Sequence, residues 1–296
     1  MASPVRLQAG SISATQLRSP NVAADVLESA KGKARREQVH AQGHFSFLSV
    51  QDHIISSQCA HPAGEQREDC AICRYDQQLA LPHLPEILFP ENAFIVRWKD
   101  HPSSLIRFTA LEALKRVDTK KLPDIQVASA VSWQESRKSM VEFKEFAKPF
   151  DWTYTTDFSG TQQDIEENPT DKKIDYDLLK RQDPILFYDH NVLFEDELHD
   201  HGMAQYSVRV RVMPTCFFVL ARFFLRVDQV HVRVWDTRLF GKEGESTIIK
   251  EWSHREANID KIQHLGDTVI NDPNLIVAHL PLIEETISEL SPKISA

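Results

Sequence analysis

The sequence predicts a single α+β domain, an antiparallel sheet core with short helices interspersed. Three observations carry that prediction. Strand patterns follow one another at 206–213, 216–227 and 230–235 with only short turns between them, which makes antiparallel neighbours. Helical patterns occur but do not alternate regularly with strands, as a doubly wound parallel fold requires. No internal period of about 20–50 residues appears, so a solenoid or propeller is excluded.

The elements follow in order. Residues 1–42 read as a disordered N-terminal tail, rich in Ser, Ala and Gln, whose first acid is Asp25. An acid-poor start with Ser and Arg also fits an organelle transit segment. The domain is expected to run from 43 to 291. "GHFSFLSVQDHIISS" (43–57) alternates as strand material, and "CAHPAGEQREDC" (59–70) is a polar insertion. Prolines 82, 85 and 90 make an extended crossing before a strand at 93–98, and "LIRF" (105–108) is a second short strand. Thr109 with Glu112 three residues later fits a capping box, and Leu111, Leu114 and Val117 form the buried stripe of the helix it opens.

A strand is expected at 124–133, with Ile125, Val127, Val131 and Trp133 on one face. A helix follows at 135–148, with Met140, Phe143 and Phe146 at helical spacing. The Thr- and aromatic-rich stretch 151–161 reads as a strand ending in a Ser-Gly turn, and 162–173 as a polar loop. "IDYDLLKRQ" (174–182) is a short helix, and a tight turn is expected at Asp228–Gln229. Pro281 suits a first helical turn, and Ile283, Ile287 and Leu290 would line one face of a closing helix.

A net charge of −9 and a pI near 5.8 argue against nucleic-acid or anionic-membrane binding, both of which need a basic surface. The longest apolar run, "CFFVLARFFL", is cut by Arg222 and is too short for a bilayer span. No signal-peptide pattern opens the chain. Cys59, Cys70, Cys73 and Cys216 are too few for a disulfide scaffold, so a reduced, cytoplasmic setting is expected. There is no P-loop, GxGxxG or GxSxG motif, and no cofactor is expected.

Three constellations could carry chemistry. In "VLFEDELHDHG" (192–202), Glu197, His199 and His201 share a face if the stretch is extended. A metal-dependent hydrolase could be built on them. The alternative is a structural turn whose acids pair with arginines of neighbouring strands. Cys59-x-His61 and Cys70-x-x-Cys73 have the order of a structural zinc site, or are a surface insertion with incidental thiols. The third is an arginine set. Residues 181–241 contain no lysine, yet hold Arg209, Arg211, Arg222, Arg226, Arg233 and Arg238. Arginine's planar fork suits bidentate capture of carboxylates. The acids could be internal, from 195–200, or belong to an acidic partner peptide; a solvated strand face is the plainer alternative. Cys216 lies in an apolar strand and reads as core.

"KPFDWTYTTDFSGT" (148–161), "LFEDELHDHG" (193–202), "VRVRVMPTCFFVLARFFLRVD" and "VWDTRLF" (234–240) closely resemble the TIPRL family, the TOR-signalling-pathway regulator-like proteins. Shorter echoes are "LPHLPEILFPEN", "WQESR" and "SHRE", so the resemblance covers roughly 43–291. The tail and the Cys/His insertion depart from the family pattern. The resemblance implies a non-enzymatic protein, a monomer on its own, that binds catalytic subunits of type-2A serine/threonine phosphatases. It implies inhibition or other regulation, a groove for the phosphatase's acidic C-terminal tail, and a role in TOR signalling. Partner contacts of the family match Glu112, Ile174, Val234 and Asp236, and the adjacent Arg233 joins that expected set. Glu112 also serves as the capping-box residue, and Ile174 as the apolar anchor of its helix.

Overall fold

The computed structural model describes residues 35–56, 59, 70–79, 81, 83–117, 135 and 153–293. Among them, strands make two antiparallel sheets. The smaller contains β1 (Arg36–Gln42), β2 (Phe45–Gln51), β4 (Ala93–Trp98), β5 (Leu105–Thr109) and β6 (Thr161–Gln163), adjacent in that order. The larger runs β3 (Ile87–Leu88), β8 (Phe187–Asp196), β9 (Gly202–Met213), β10 (Cys216–Val227), β11 (His231–Lys242), β12 (Ile248–Asn258), β13 (Leu282–Pro292) and β7 (Ile165–Pro169). Short helices punctuate them: α1 (Ala71–Gln78), α2 (Ala110–Leu114), α3 (Tyr176–Leu179), α4 (Ile259–Ile262), α5 (Asp267–Ile270) and α6 (Pro273–Ile276).

The two sheets pack face to face. Phe45, Phe47, Val96, Trp98, Ile106 and Phe108 of the smaller sheet share one core with Val208, Val210, Val212, Phe217, Val219 and Phe223 of the larger. Strict alternation in "VRVRVMP" places the valines in that core and Arg209 and Arg211 on the opposite, outer face. Polar pins join the sheets as well. Asn191 on β8 donates from Nδ2 to the carbonyls of Val50 (2.9 Å) and Ala93 (3.1 Å), and Ser49 donates to Asp189.

The outer face of the larger sheet is covered at two places. Phe224, Val232, Val234 and Ala257 pack under Ile262, Ile270, Ile276 and Leu280 of the α4–α6 segment. Met213, Cys216 and Phe240 pack under Ile174 and Leu179 around α3. Cys216 is a core residue, as its surroundings in the sequence predict.

The α+β class, the strand run, the 93–98 and 105–108 strands, the short helices at 109 and 174–182 and the tight turn at Asp228–Gln229 all appear. Thr109 Oγ1 accepts from the Glu112 N–H at 3.4 Å, the capping contact expected of that pair. Four expectations are corrected. Arg36–Gln42 is an edge strand in a hairpin turning at Gly43, so the ordered domain begins before residue 43; the preceding 1–34 lie outside the described residues. The 162–173 stretch contains β6 and β7, whose exposed glutamates are the polar dress of an edge strand. The closing helix is instead β13, because β12 offers a full-length pairing edge and isoleucine and threonine suit it. The 153–160 stretch forms no strand beyond the single bridge between Val117 and Thr156. The strand expected at 124–133 and all but Glu135 of the helix at 135–148 lie outside the described residues. Among the described residues no helix is long and apolar enough to cross a membrane.

Candidate functional site

The β8–β9 connection is a turn of unusual backbone. Leu198, His199 and Asp200 have φ of 51°, 57° and 66°, three consecutive left-handed residues without a glycine. Such residues cost roughly 1–3 kcal/mol each unless their surroundings impose them. Here Leu198 is completely buried, its N–H donates to Asp196 Oδ1 at 2.7 Å, and its carbonyl accepts from the His201 N–H at 3.0 Å. Gly202 closes the turn, and a Cβ there would lie 1.9 Å from the Arg226 carbonyl oxygen.

The turn is therefore structural, but among the described residues its acids do not pair with arginines as expected. Glu195 accepts from Gln205 Nε2 at 2.6 Å, and Asp196 accepts from the backbone N–H groups of Glu86 and Leu198. Burial, and then the charge of Glu86, push the Asp196 carboxyl up to about 8. The hydrolase alternative is not gathered either. A left-handed turn is neither extended nor helical, and among the described residues Glu197, His199 and His201 do not form a close ligand group. Among the described residues, the metal-competent set whose ligand atoms lie within 4.8 Å of one another is Cys59, Cys70 and Cys73. His61 lies outside the described residues.

The arginine set does assemble. The register puts Arg209, Leu220, Arg238 and Glu251 in one row across β9, β10, β11 and β12, on the outer face. Arg222 and Asp236 face each other in the next row, and Arg211 and Phe218 on the other side. Arg233 is the exception. On the alternating strand it points to the opposite face, where its Nε donates to Glu256 at 2.7 Å and its guanidinium lies 5.7 Å from the Trp235 ring centroid. His231, His254 and Arg233 surround Glu256, and together hold its carboxyl far below the usual range.

The acids that answer these arginines come from the sheet itself. Asp236 binds Arg222 through both oxygens and also accepts from Arg238 Nη2 at 2.9 Å. Burial pushes the Asp236 carboxyl up, but Arg222 and Arg238 outweigh it and hold it below the usual carboxylate range. The network extends to α3. Arg238 Nη1 donates to the Tyr176 hydroxyl at 3.2 Å, Tyr176 donates to Glu251 at 2.9 Å, and Glu251 accepts the Ile174 N–H at 3.1 Å. It also grips the helical segment, since Arg222 donates to the Pro273 carbonyl at 2.6 Å and Arg226 to Asn271 at 2.7 Å.

Of the expected partner-binding set, Ile174 and Asp236 thus belong to one network. Val234 is buried under α4–α6, Arg233 faces the other way, and Glu112 sits on α2 beside the smaller sheet, 3.7 Å from Lys115.

Between α3 and α6 runs a strip of partly exposed residues on the outer face. Leu220, half-buried, is its floor, and Arg209 and Arg238 flank it. Arg209 bonds Asn274 at 2.8 Å and Arg211 bonds the Leu179 carbonyl at 3.0 Å; among the described residues neither has a carboxylate partner. Burial, and then the charge of Arg222, lower the Arg209 pKa. Next to Arg211, Ile185, Leu186 and Tyr188 are 53%, 49% and 56% exposed, an apolar shoulder at the end of the strip. Leu220, Tyr188, Tyr176 and Glu251 were not singled out in the sequence. The register of β9 against β8 and β10 brings Tyr188 and Leu220 to the arginines, that of β11 against β12 brings Glu251, and the docking of α3 brings Tyr176.

The model of the TIP41-like family matches residues 87–263. A TIP41-like protein of Caenorhabditis elegans is 41% identical over 268 residues, covering 90% of this chain and 95% of its own length. A human TIP41-like protein is 40% identical over 218 residues, 72% of this chain and 79% of its own. A protein of Saccharomyces cerevisiae named type 2A phosphatase activator TIP41 is 34% identical over 263 residues, 80% of this chain and 72% of its own. These matches bear out the resemblance carried by "FEDELHDHG" and "VWDTR", and the chain belongs to the TIP41-like family.

Proposed function

We propose that this chain is a non-enzymatic regulator that binds the catalytic subunit of a type-2A serine/threonine phosphatase, with the subunit's acidic C-terminal tail lying in the strip between α3 and α6. The single observation that carries the reading is the row of Arg209, Leu220 and Arg238 with Arg211 beside it, two of whose guanidiniums have no carboxylate partner among the described residues. An extended acidic peptide would supply the carboxylates and lay alternate side chains over Leu220 and the Ile185–Tyr188 shoulder. The name of the yeast relative supports the partner class. The resemblance implies inhibition and a place in TOR signalling, whereas that name speaks of activation.

The test is a pull-down of purified type-2A catalytic subunit with and without its C-terminal tail, against the chain and its Arg209→Glu/Arg211→Glu form. Binding that weakens on tail removal and on the double reversal supports the reading. Equal binding in all four combinations overturns the placement of the tail, and no binding overturns the partner. Dephosphorylation rates in the same mixtures give the sign of the regulation.

A further inference from the structure

The Cys59, Cys70 and Cys73 cluster takes no part in the surface just described. Cys70 is the N-cap residue of α1 and Cys73 sits in its first turn, so the C-x-x-C spacing turns both thiols to one side. Cys59 arrives from the segment that follows β2. Its Sγ lies 3.5 Å from that of Cys73 and 3.8 Å from that of Cys70. All three sulfurs are within 4.8 Å of one another, and none of the three is joined in a disulfide. A disulfide brings sulfurs to about 2.05 Å. A tetrahedral zinc with Zn–S bonds of about 2.3 Å instead sets its sulfurs about 3.8 Å apart. The two separations measured from Cys59 are close to the edges of such a tetrahedron.

We propose that Cys59, Cys70 and Cys73 bind a zinc ion in a structural site that staples the segment after β2 to the start of α1. Soft thiolates select zinc over hard cations, and three of them leave one position for a fourth ligand. The local chemistry is prepared for it. The Cys73 backbone N–H hydrogen-bonds the Cys70 sulfur, a contact that a metal-bound sulfur also accepts. The α1 start has no side-chain cap and no acidic residue in its first turn, so bound thiolates would supply the negative charge that a helix N-terminus favours. An eight-residue helix is too short to hold itself together, and α1 is otherwise anchored through the fully buried Tyr75, whose hydroxyl donates to the Pro90 carbonyl at 3.2 Å.

The test uses the full chain, expressed with added zinc, kept reduced and purified without chelator. Elemental analysis should find about one zinc per chain. Cys59→Ser, Cys70→Ser and Cys73→Ser should each lose it, and Cys216→Ala should keep it. Cobalt(II) in place of zinc should show thiolate charge-transfer and tetrahedral d–d bands, whose energies tell a nitrogen from an oxygen fourth ligand. Should a serine variant fail to fold, the wild-type chain still decides: chelation should lower its Tm and added zinc should restore it. No zinc in the purified chain and no cobalt uptake by the reduced chain would overturn the site. So would metal retained by the Cys70 and Cys73 variants, or a disulfide among these cysteines as the stable state.

Discussion

Asp236 and Arg222 form a closed, two-bonded pair across β10 and β11: Nε to Oδ1 at 2.6 Å and Nη2 to Oδ2 at 2.7 Å. Asp236 is 1% exposed and Arg222 7%. Removing one partner of a buried pair strands the other charge and costs about 3–5 kcal/mol. Asp236→Ala should therefore lower the urea midpoint sharply, since it strands Arg222 and also frees Arg238. The resemblance makes the same residue an expected partner contact, yet its charge reversal would report on folding before it reported on binding. An Asp236→Ala chain as stable as the parent would show that the network contributes little.

Gly202→Ala should be among the most damaging small substitutions. Its Cβ would meet backbone, the Arg226 carbonyl oxygen at 1.9 Å, and backbone cannot swing aside as a flexible side chain can. A loss of about 3 kcal/mol or more is expected. Gly244→Ala is the matched control: φ is +82° there, but nothing lies within 4 Å of the new carbon. It should cost about 1 kcal/mol, the backbone strain alone. Equal losses at the two sites would mean that conformation, not the close approach, sets the requirement.

Asp196 predicts a pH dependence. Its carboxyl is raised from 3.8 to about 8 in the folded chain, chiefly by burial. A raised group gives stability that is fully present below the unfolded pKa and is lost as pH rises through the folded one. Tm should therefore fall between about pH 4 and pH 8. Asp196→Asn should flatten that part of the curve. A variant that keeps the parent's slope would assign the titration to another group.

Glu256 predicts the opposite sign at the acid end. His231 and His254, with Arg233, depress its carboxyl, so its stabilisation is present above the unfolded carboxylate range and lost only in strong acid. Glu256→Gln should cost stability at pH 7 and leave a smaller difference from the parent near pH 2. A gap that stays constant across that range would remove Glu256 from the acid transition.

Binding of an acidic peptide to the strip between α3 and α6 should weaken as salt rises from about 0.05 to 0.3 M, because exposed charges are screened over a Debye length. The Arg209→Glu/Arg211→Glu chain should show little salt dependence. A salt slope unchanged by the double reversal would place the electrostatic contact elsewhere.

The parts of the fold that were legible in the sequence are those whose pattern is local. "VRVRVMP" declares both its face and its period, and β9 to β11 lie where that pattern puts them. The errors fall at sheet edges. β1 and β7 look like tail and loop because the exposed residues of edge strands are largely polar, and the partner of β7, β13, is distant in sequence. In β13, Ile283, Ile287 and Leu290 keep a helical spacing, but Leu290 is buried while Ile283 is exposed, so no helix stripe exists. At the candidate site the arginines were visible, and so was their appetite for carboxylates. That Asp236 and Glu251 would satisfy part of it, while Arg209 and Arg211 went without, depended on cross-strand register and on where α3 and α6 dock. Arg233 parts from its neighbours by the simple period of two along β11.

From β8 to β13 the strands lie in space in the order in which they occur in the chain. Each of those pairings closes between neighbours, so the loop entropy spent on the middle of the large sheet is small, and low contact order favours rapid formation. The short β3 and β7 come from far away in sequence to close the two margins, and they must wait until a margin exists. The sheet should therefore assemble from its meander outward, with α3 and α6 settling on a platform already laid. Pulse-labelled hydrogen exchange would then protect β9, β10 and β11 first and Ile87–Leu88 and Ile165–Pro169 last.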